Sequence, residues 1–293
     1  MNVIQTEGLT KFYGRSRGIL DLDLEVREGE FFGFIGPNGA GKSTTIRILM
    51  GLIRKTQGSV WMLGMDILKE KEKILSETGY LPAEAVFYPD MRGRDLIRFS
   101  ADLHRKDCRK TSDELCERLQ FDPSRRISEL SFGNRKKLAV ICALQHNPRL
   151  CILDEPTGGL DPLMQREFFE ILKERNKKGM TVFLSSHILS EVQCFCSRAA
   201  IIREGRIIAC GSVEELTRTT AKRVSVRGAF EPSGLSDVRD LQRSEDTVSF
   251  LYSGDINQLL SNLSRHPIRD LTISEPGLEE VFLHYYAEGD KQK

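Results

Sequence analysis

The residues that most plainly specify chemistry form one run, Gly36-Pro37-Asn38-Gly39-Ala40-Gly41-Lys42-Ser43-Thr44. Its spacing fits G-x-x-x-x-G-K-[ST], a loop that cradles phosphates. Glycines admit backbone shapes closed to other residues, so successive N–H groups can turn toward phosphate oxygens. The helix that follows adds a partial positive charge at its start. Lys42 is expected to reach the outer phosphates, and the Ser43 hydroxyl to ligate Mg²⁺. A second chemical feature lies downstream. Leu150-Cys151-Ile152-Leu153-Asp154-Glu155 is an apolar strand ending in two carboxylates. Taken with the phosphate loop, Asp154 is expected to hold Mg²⁺, directly or through water, because hard cations prefer oxygen ligands. Glu155 is expected to polarise an attacking water.

These residues need elements to hold them. An apolar stretch, Phe31 to Ile35, leads into the loop, and a helical stretch, Thr44 to Met50, leads out. That is the strand–loop–helix setting the motif requires. Before it, Val3-Ile4 and the alternating Ile19 to Val26 read as strands; after it, Gly58 to Leu63 reads as another. Helices are expected near Asp95–His104, Ser112–Leu119 and Arg135–Gln145, closed by Pro148. A second α/β stretch follows, with strands at Leu150–Leu153 and Met180–Leu184, a helix at Leu163–Lys177, and a hairpin over Ala199–Cys210 turning at Glu204-Gly205. Alternating strands and helices argue for a mostly parallel, covered sheet. From about Thr217 the texture turns polar and linker-like. Strands at Val224–Val226, Thr247–Tyr252 and Ile268–Ser274, with helices at Ile256–Arg265 and Leu278–Tyr286, then suffice for a small α+β domain.

Bulk properties exclude some classes. The 293 residues suit one large domain or two smaller ones. A formal charge of +1 implies no strong polyanion affinity, so no nucleic acid is expected as partner. Arg125-Arg126 and Arg135-Lys136-Lys137 read as solvated helix faces. No apolar run reaches the roughly 18 residues of a membrane span, and Met1 to Thr10 does not resemble a signal peptide. The seven cysteines are scattered singly, which argues for reduced thiols. Cys194-x-Cys196, although near His187, matches no zinc spacing.

Further motifs complete the pattern: Leu130-Ser131-Phe132-Gly133-Asn134-Arg135 ahead of the two carboxylates, Pro156-Thr157-Gly158-Gly159-Leu160-Asp161-Pro162 directly after them, and Ser185-Ser186-His187 at the end of the next strand. Over roughly residues 1–216 the chain resembles the ATP-binding cassette (ABC) family, the nucleotide-binding subunits of membrane transporters. The resemblance implies a P-loop ATPase core with an antiparallel β subdomain and an α-helical subdomain at about 88–146, within a cassette spanning 1–218. A small α+β accessory domain would occupy 222–288. It implies ATP and Mg²⁺ as cofactors, with Gly36 through Thr44 around the phosphates and Tyr13 stacked on adenine; as a bare sequence feature, Tyr13 also suits a half-buried strand position. It places Ser131 and Gly133, with Asn134 beside them, against the γ-phosphate bound to a second subunit, and Asp161 on the loop that crosses between subunits. His187 matches the residue that touches the γ-phosphate and orients the water beside Glu155.

The implied partners are a second ATPase chain, in a homodimer or a heterodimer, and an integral membrane permease, with the chain peripheral on the cytoplasmic face of the cell membrane. The run Val86-Phe87-Tyr88-Pro89-Asp90-Met91 leads into the region that in this family receives a short helix of the permease, and it suits subdomain core equally. Ile273-Ser274-Glu275-Pro276-Gly277-Leu278-Glu279-Glu280-Val281-Phe282-Leu283 resembles the tail of cassettes serving exporters of drugs, antibiotics, lipids or polysaccharides. Export is therefore the expected direction. The chain departs from the family pattern at two places. Phe132 and Asn134 replace a glycine and a glutamine of the signature, and Ala83 stands where a glutamine is usual, with Glu84 next to it as a candidate substitute. These departures keep open a regulatory ATP-binding subunit with little turnover. A soluble cassette acting in translation or DNA repair is the other alternative, disfavoured by the single cassette and by the lack of heptads between Lys42 and Asp154.

Overall fold

A computed structural model describes residues 1–217 and 222–274. The expected helix at Leu278–Tyr286 and most of the exporter-like tail motif lie outside those residues. Contacts divide the chain into two units, Met1–Val213 and Glu214–Lys293.

In the first unit, β1 (Asn2–Tyr13) and β2 (Ser16–Arg27) are each 12 residues long and form an antiparallel pair. With β4 (Gln57–Met62) and the two-residue β5 (Met65–Asp66), they make a sheet of order β2-β1-β4-β5. Between them run β3 (Phe31–Ile35) and α1 (Lys42–Leu49). Then come α2 (Lys71–Ser76), β6 (Thr78–Leu81), α3 (Gly93–His104), α4 (Arg109–Arg118) and α5 (Phe132–Leu144). β7 (Leu150–Asp154), α6 (Pro162–Lys177), β8 (Thr181–Ser186), α7 (Leu189–Phe195), β9 (Arg198–Arg203) and β10 (Arg206–Ser212) complete it. A short helix, α8 (Val213–Thr217), begins where the unit ends. No helix among the described residues is long and apolar enough to cross a membrane.

The second sheet has the order β10-β9-β3-β8-β7-β6. All its pairings are parallel except β10 on β9. β3, β7 and β8 are buried at every position, which is why their apolar residues (Phe31–Ile35, Leu150–Leu153, Val182–Leu184) run consecutively rather than alternating. One apolar cluster runs from Ile4, Leu22 and Val60 of the antiparallel sheet, through Ile46 and Leu49 of α1, to Phe32, Phe34 and Phe183 of the larger sheet. Phe183 stacks on Phe32 with ring centroids 6.0 Å apart and tilts against Phe34 at 5.3 Å. This packing fixes α1, and hence the phosphate loop, on the sheet. The helical segment is tied to the rest by Arg118 of α4, whose guanidinium reaches Glu167 and Glu174 of α6 at 2.6 Å each.

The structure adds elements that periodicity did not show: β5, β6, α2, α7, α8 and a strand in the second unit. β6 is four residues long and contains Gly79, too short to carry a pattern. Gly79 is required there by close approach, since a Cβ would lie 2.2 Å from the Ala143 carbonyl oxygen. In the second unit, β11 (Lys222–Gly228), β12 (Val238–Ser244), β13 (Thr247–Tyr252) and β14 (Ile268–Ser274) form a sheet of order β12-β13-β11-β14. α9 (Ile256–Leu263) is capped by Asp255, whose carboxylate accepts from the Asn257 N–H. Val224, Val226, Phe250, Tyr252, Leu259 and Leu263 form its core. β12 was not expected because it is exposed along nearly its whole length and carries no apolar alternation.

One buried group makes folding pH-dependent. His146 is 3% exposed, and neither ring nitrogen has a hydrogen-bond partner among the described residues. Its ring stacks on His104 at 3.6 Å, and Lys106, paired with Glu77, donates to its carbonyl. Burial, then the neighbouring His104 and Lys106, pushes its pKa down to about 3. The folded chain therefore keeps His146 neutral, whereas the unfolded chain protonates it near pH 6.5. Stability is full above that value and falls as pH drops, by about 1.4 kcal/mol per pH unit, or about 2 kcal/mol by pH 5. Urea unfolding at pH 7.5 and pH 5 checks this. His146→Leu is expected to flatten the slope by about one proton, and an unchanged slope refutes the assignment.

Candidate ATP-hydrolysis site

The strand order fixes which loops meet. β8 lies between β3 and β7, so the carboxyl ends of the three strands emerge side by side. The phosphate loop follows β3, Glu155 follows β7, and His187 follows β8. Open α/β sheets bind ligands at such strand ends.

Gly41 ends the loop with φ +114°, and a Cβ there would meet Ile19 Cγ2 at 2.7 Å; only glycine serves. α1 then starts at Lys42, which is 5% exposed. Its Nζ donates to the Gly36 carbonyl at 2.6 Å and the Pro37 carbonyl at 3.2 Å, and pairs with Glu155 Oε1 at 3.4 Å. The other Glu155 oxygen faces His187 Nδ1 at 3.2 Å. Cation, carboxylate and imidazole thus form one line. A hollow of about 190 Å³ beside them is lined by Tyr13, Arg17, Gly18, Pro37, Lys42 and Ser43, among others. Asn38, Gly39, Gly41 and Thr44 also face it; Gly36 and buried Ala40 do not line it.

Asp154 is buried, and its Oδ1 has no hydrogen-bond partner among the described residues. Burial pushes its carboxyl up, an effect the Ser43 and Ser185 hydroxyls partly offset. A buried carboxylate oxygen without a partner, beside a serine hydroxyl, is a hard-oxygen donor set that suits Mg²⁺.

Other expected residues do not reach this hollow in the single chain. The Ser131 hydroxyl accepts from the Asn134 N–H at 3.3 Å, capping α5, and Asp161 accepts from the Met164 N–H at 3.0 Å, capping α6. Gly133 lies against the loop after Glu155, where a Cβ would come within 2.7 Å of the Gly159 carbonyl oxygen. The same loop accommodates Phe132. Gly159 has φ +83°, and a Cβ there would lie 2.2 Å from the Phe132 ring. Glu84 is exposed and lines a separate hollow with Val86, Phe132 and Arg135.

Sequence reasoning missed Arg17 and Gly18, although the β1–β2 hairpin opposes Phe12 to Arg17 and so brings them beside Tyr13. It also misplaced Lys136. Read as part of a solvated face, Lys136 is 2% exposed, because its position on α5 points it under the strand ends. Burial lowers its pKa to about 8, against the pull of Asp154 and Glu155.

The comparisons with known proteins fit this geometry. The ABC transporter family model matches residues 19–158. The bacitracin transport ATP-binding protein BcrA of Bacillus licheniformis is 32% identical over 298 residues, covering 96% of each chain. The chain belongs to the ABC transporter family. The linearmycin resistance ATP-binding protein LnrL of Bacillus subtilis is 31% identical, covering 96% of this chain and 97% of its own. A solved ATP-binding subunit of an ABC transporter superposes with a TM-score of 0.71 at 28% identity, covering 74% of this chain and 92% of that one. The cassette is thus an ATP-binding subunit with export-type relatives, in keeping with a separate permease.

Proposed function

We propose that this cassette hydrolyses Mg-ATP and that its turnover drives export through a separately encoded membrane permease. The observation that carries the reading is the Lys42–Glu155–His187 line beside the phosphate loop. Lys42 binds the outer phosphates, and the N–H groups of Gly36 through Thr44 cradle them. Tyr13, 46% exposed at the mouth of the hollow, stacks on the adenine. Glu155 takes a proton from the attacking water, and His187 orients that water. Ser43 and Asp154 would hold Mg²⁺, which supplies charge neutralisation at the phosphates.

Ser131, Gly133, Asn134 and Asp161 serve a second copy or a paralogous ATPase chain. Ser131 and Asp161 are exposed, and none of the four lines the hollow of their own chain, which supports that role. Closure of two chains over two nucleotides converts ATP affinity into movement of the permease. The cassette spans 1–218, and residues 222–288 are an accessory domain to it. The names of the relatives, bacitracin transport and linearmycin resistance, favour an antibiotic as cargo. The chain works at the cytoplasmic membrane face.

Ala83 and Phe132 support a second reading, a regulatory subunit with little turnover. Tagging the protein in its own organism and solubilising membranes in mild detergent tests both. A polytopic membrane protein is expected in stoichiometric amount, with ATPase activity in the complex. Recovery with ribosomes, with DNA or alone refutes the transporter reading, and an inactive complex supports the regulatory one.

A further inference from the structure

The Lys136 ammonium donates to three backbone carbonyls: Pro82 at 3.1 Å, Ala83 at 3.0 Å and Glu155 at 3.2 Å. An ammonium has three donors, so all are used. The acceptors lie just beyond the ends of β6 and β7, which are neighbours in the sheet. Among the described residues no side chain is bonded to it; what it holds is backbone. One of those backbones is unusual. Glu155 has φ +46°, a left-handed conformation that strains a residue with a Cβ. Such strain persists only where surroundings over-determine it. Here the Glu155 N–H donates to the Ser185 carbonyl at 2.9 Å, and its C=O accepts from Lys136. Both peptide groups of the strained residue are therefore tied, one to β8 and one to α5.

We propose that Lys136 is a positioning residue for hydrolysis, fixing the left-handed Glu155 backbone so that its carboxylate stays aimed between Lys42 and His187. The same ammonium joins that backbone to the 82–83 loop, so displacement of the loop changes the aim of Glu155. The inference rests on Glu155 being the catalytic carboxylate. Met at this position has no donor, Gln has two, and Arg offers a planar fork in place of a compact charge.

The test uses the full chain with Lys136→Met, Lys136→Gln and Lys136→Arg, each also in a Glu155→Gln background. Steady-state ATPase, binding of a fluorescent ATP analogue and melting temperature are read together. Lys136→Met is expected to lower kcat at least ten-fold with KM and analogue affinity within about three-fold. Gln or Arg should recover part of the loss. In the Glu155→Gln background Lys136→Met should lower residual turnover no further, because residues acting through one group are non-additive. If wild type turns over and Glu155→Gln does not, but Lys136→Met matches wild type, this inference alone is overturned. An additive loss in the double variant, or loss of kcat and affinity together with a lower melting temperature, also overturns it. An active Glu155→Gln variant refutes the catalytic reading itself.

Discussion

Glu155→Gln is expected to bind ATP near wild-type affinity, to lose about two to three orders of magnitude in hydrolysis, and to accumulate as a closed dimer. A positioned general base contributes roughly 10²–10⁴-fold. Glutamine keeps the size of the side chain and an oxygen for His187, which faces Oε2 at 3.2 Å. It loses the negative charge and the proton-accepting capacity. The Lys42 ammonium, now 3.4 Å from Glu155 Oε1, is left free to engage phosphate, so binding does not suffer. Steady-state ATPase and size-exclusion chromatography with ATP present check both halves. Turnover within about three-fold of wild type removes Glu155 from the catalytic role.

Lys42→Ala is expected to weaken ATP binding by at least about a hundred-fold. The reason is burial. Lys42 is 5% exposed, and its Nζ is aligned by the Gly36 and Pro37 carbonyls. Charge-assisted hydrogen bonds in such a setting are about twice as strong as neutral ones, and removing one partner of a buried charge pair costs about 3–5 kcal/mol. Arg17 also lines the hollow, but its guanidinium is paired with Glu204 at 3.3 Å. Titration with a fluorescent ATP analogue reads the effect, with circular dichroism confirming that the loop variant is folded. Affinity within about three-fold of wild type refutes the phosphate-loop role.

The legibility of the fold followed burial. β3, β7 and β8 are covered on both faces and stood out as apolar runs, and the expected helix at Leu163–Lys177 corresponds to α6, whose Phe168, Phe169 and Leu172 are buried. β12 is exposed and β6 is short, so neither left a pattern. Among candidate site residues, those tied to local backbone geometry were legible: Gly41 through Ser43, and the acids at the end of β7. Arg17 was missed because hairpin register, not proximity to a motif, brings it to the hollow. Lys136 was misread because a cationic triplet carries no mark of which member turns inward.

By itself the sequence determined the phosphate loop, the paired carboxylates, the His187 position and the family, because each depends on residue type over a few consecutive positions. Only the tertiary structure decided that these segments meet. The order β3-β8-β7 brings three distant loops to one edge, and sheet order arises from long-range pairing that no local pattern encodes. Packing also decided that Phe132 rests on Gly159, that His146 is neutral and enclosed, and that Lys136 holds Glu155. Burial sets each of these outcomes, and burial belongs to the assembled fold.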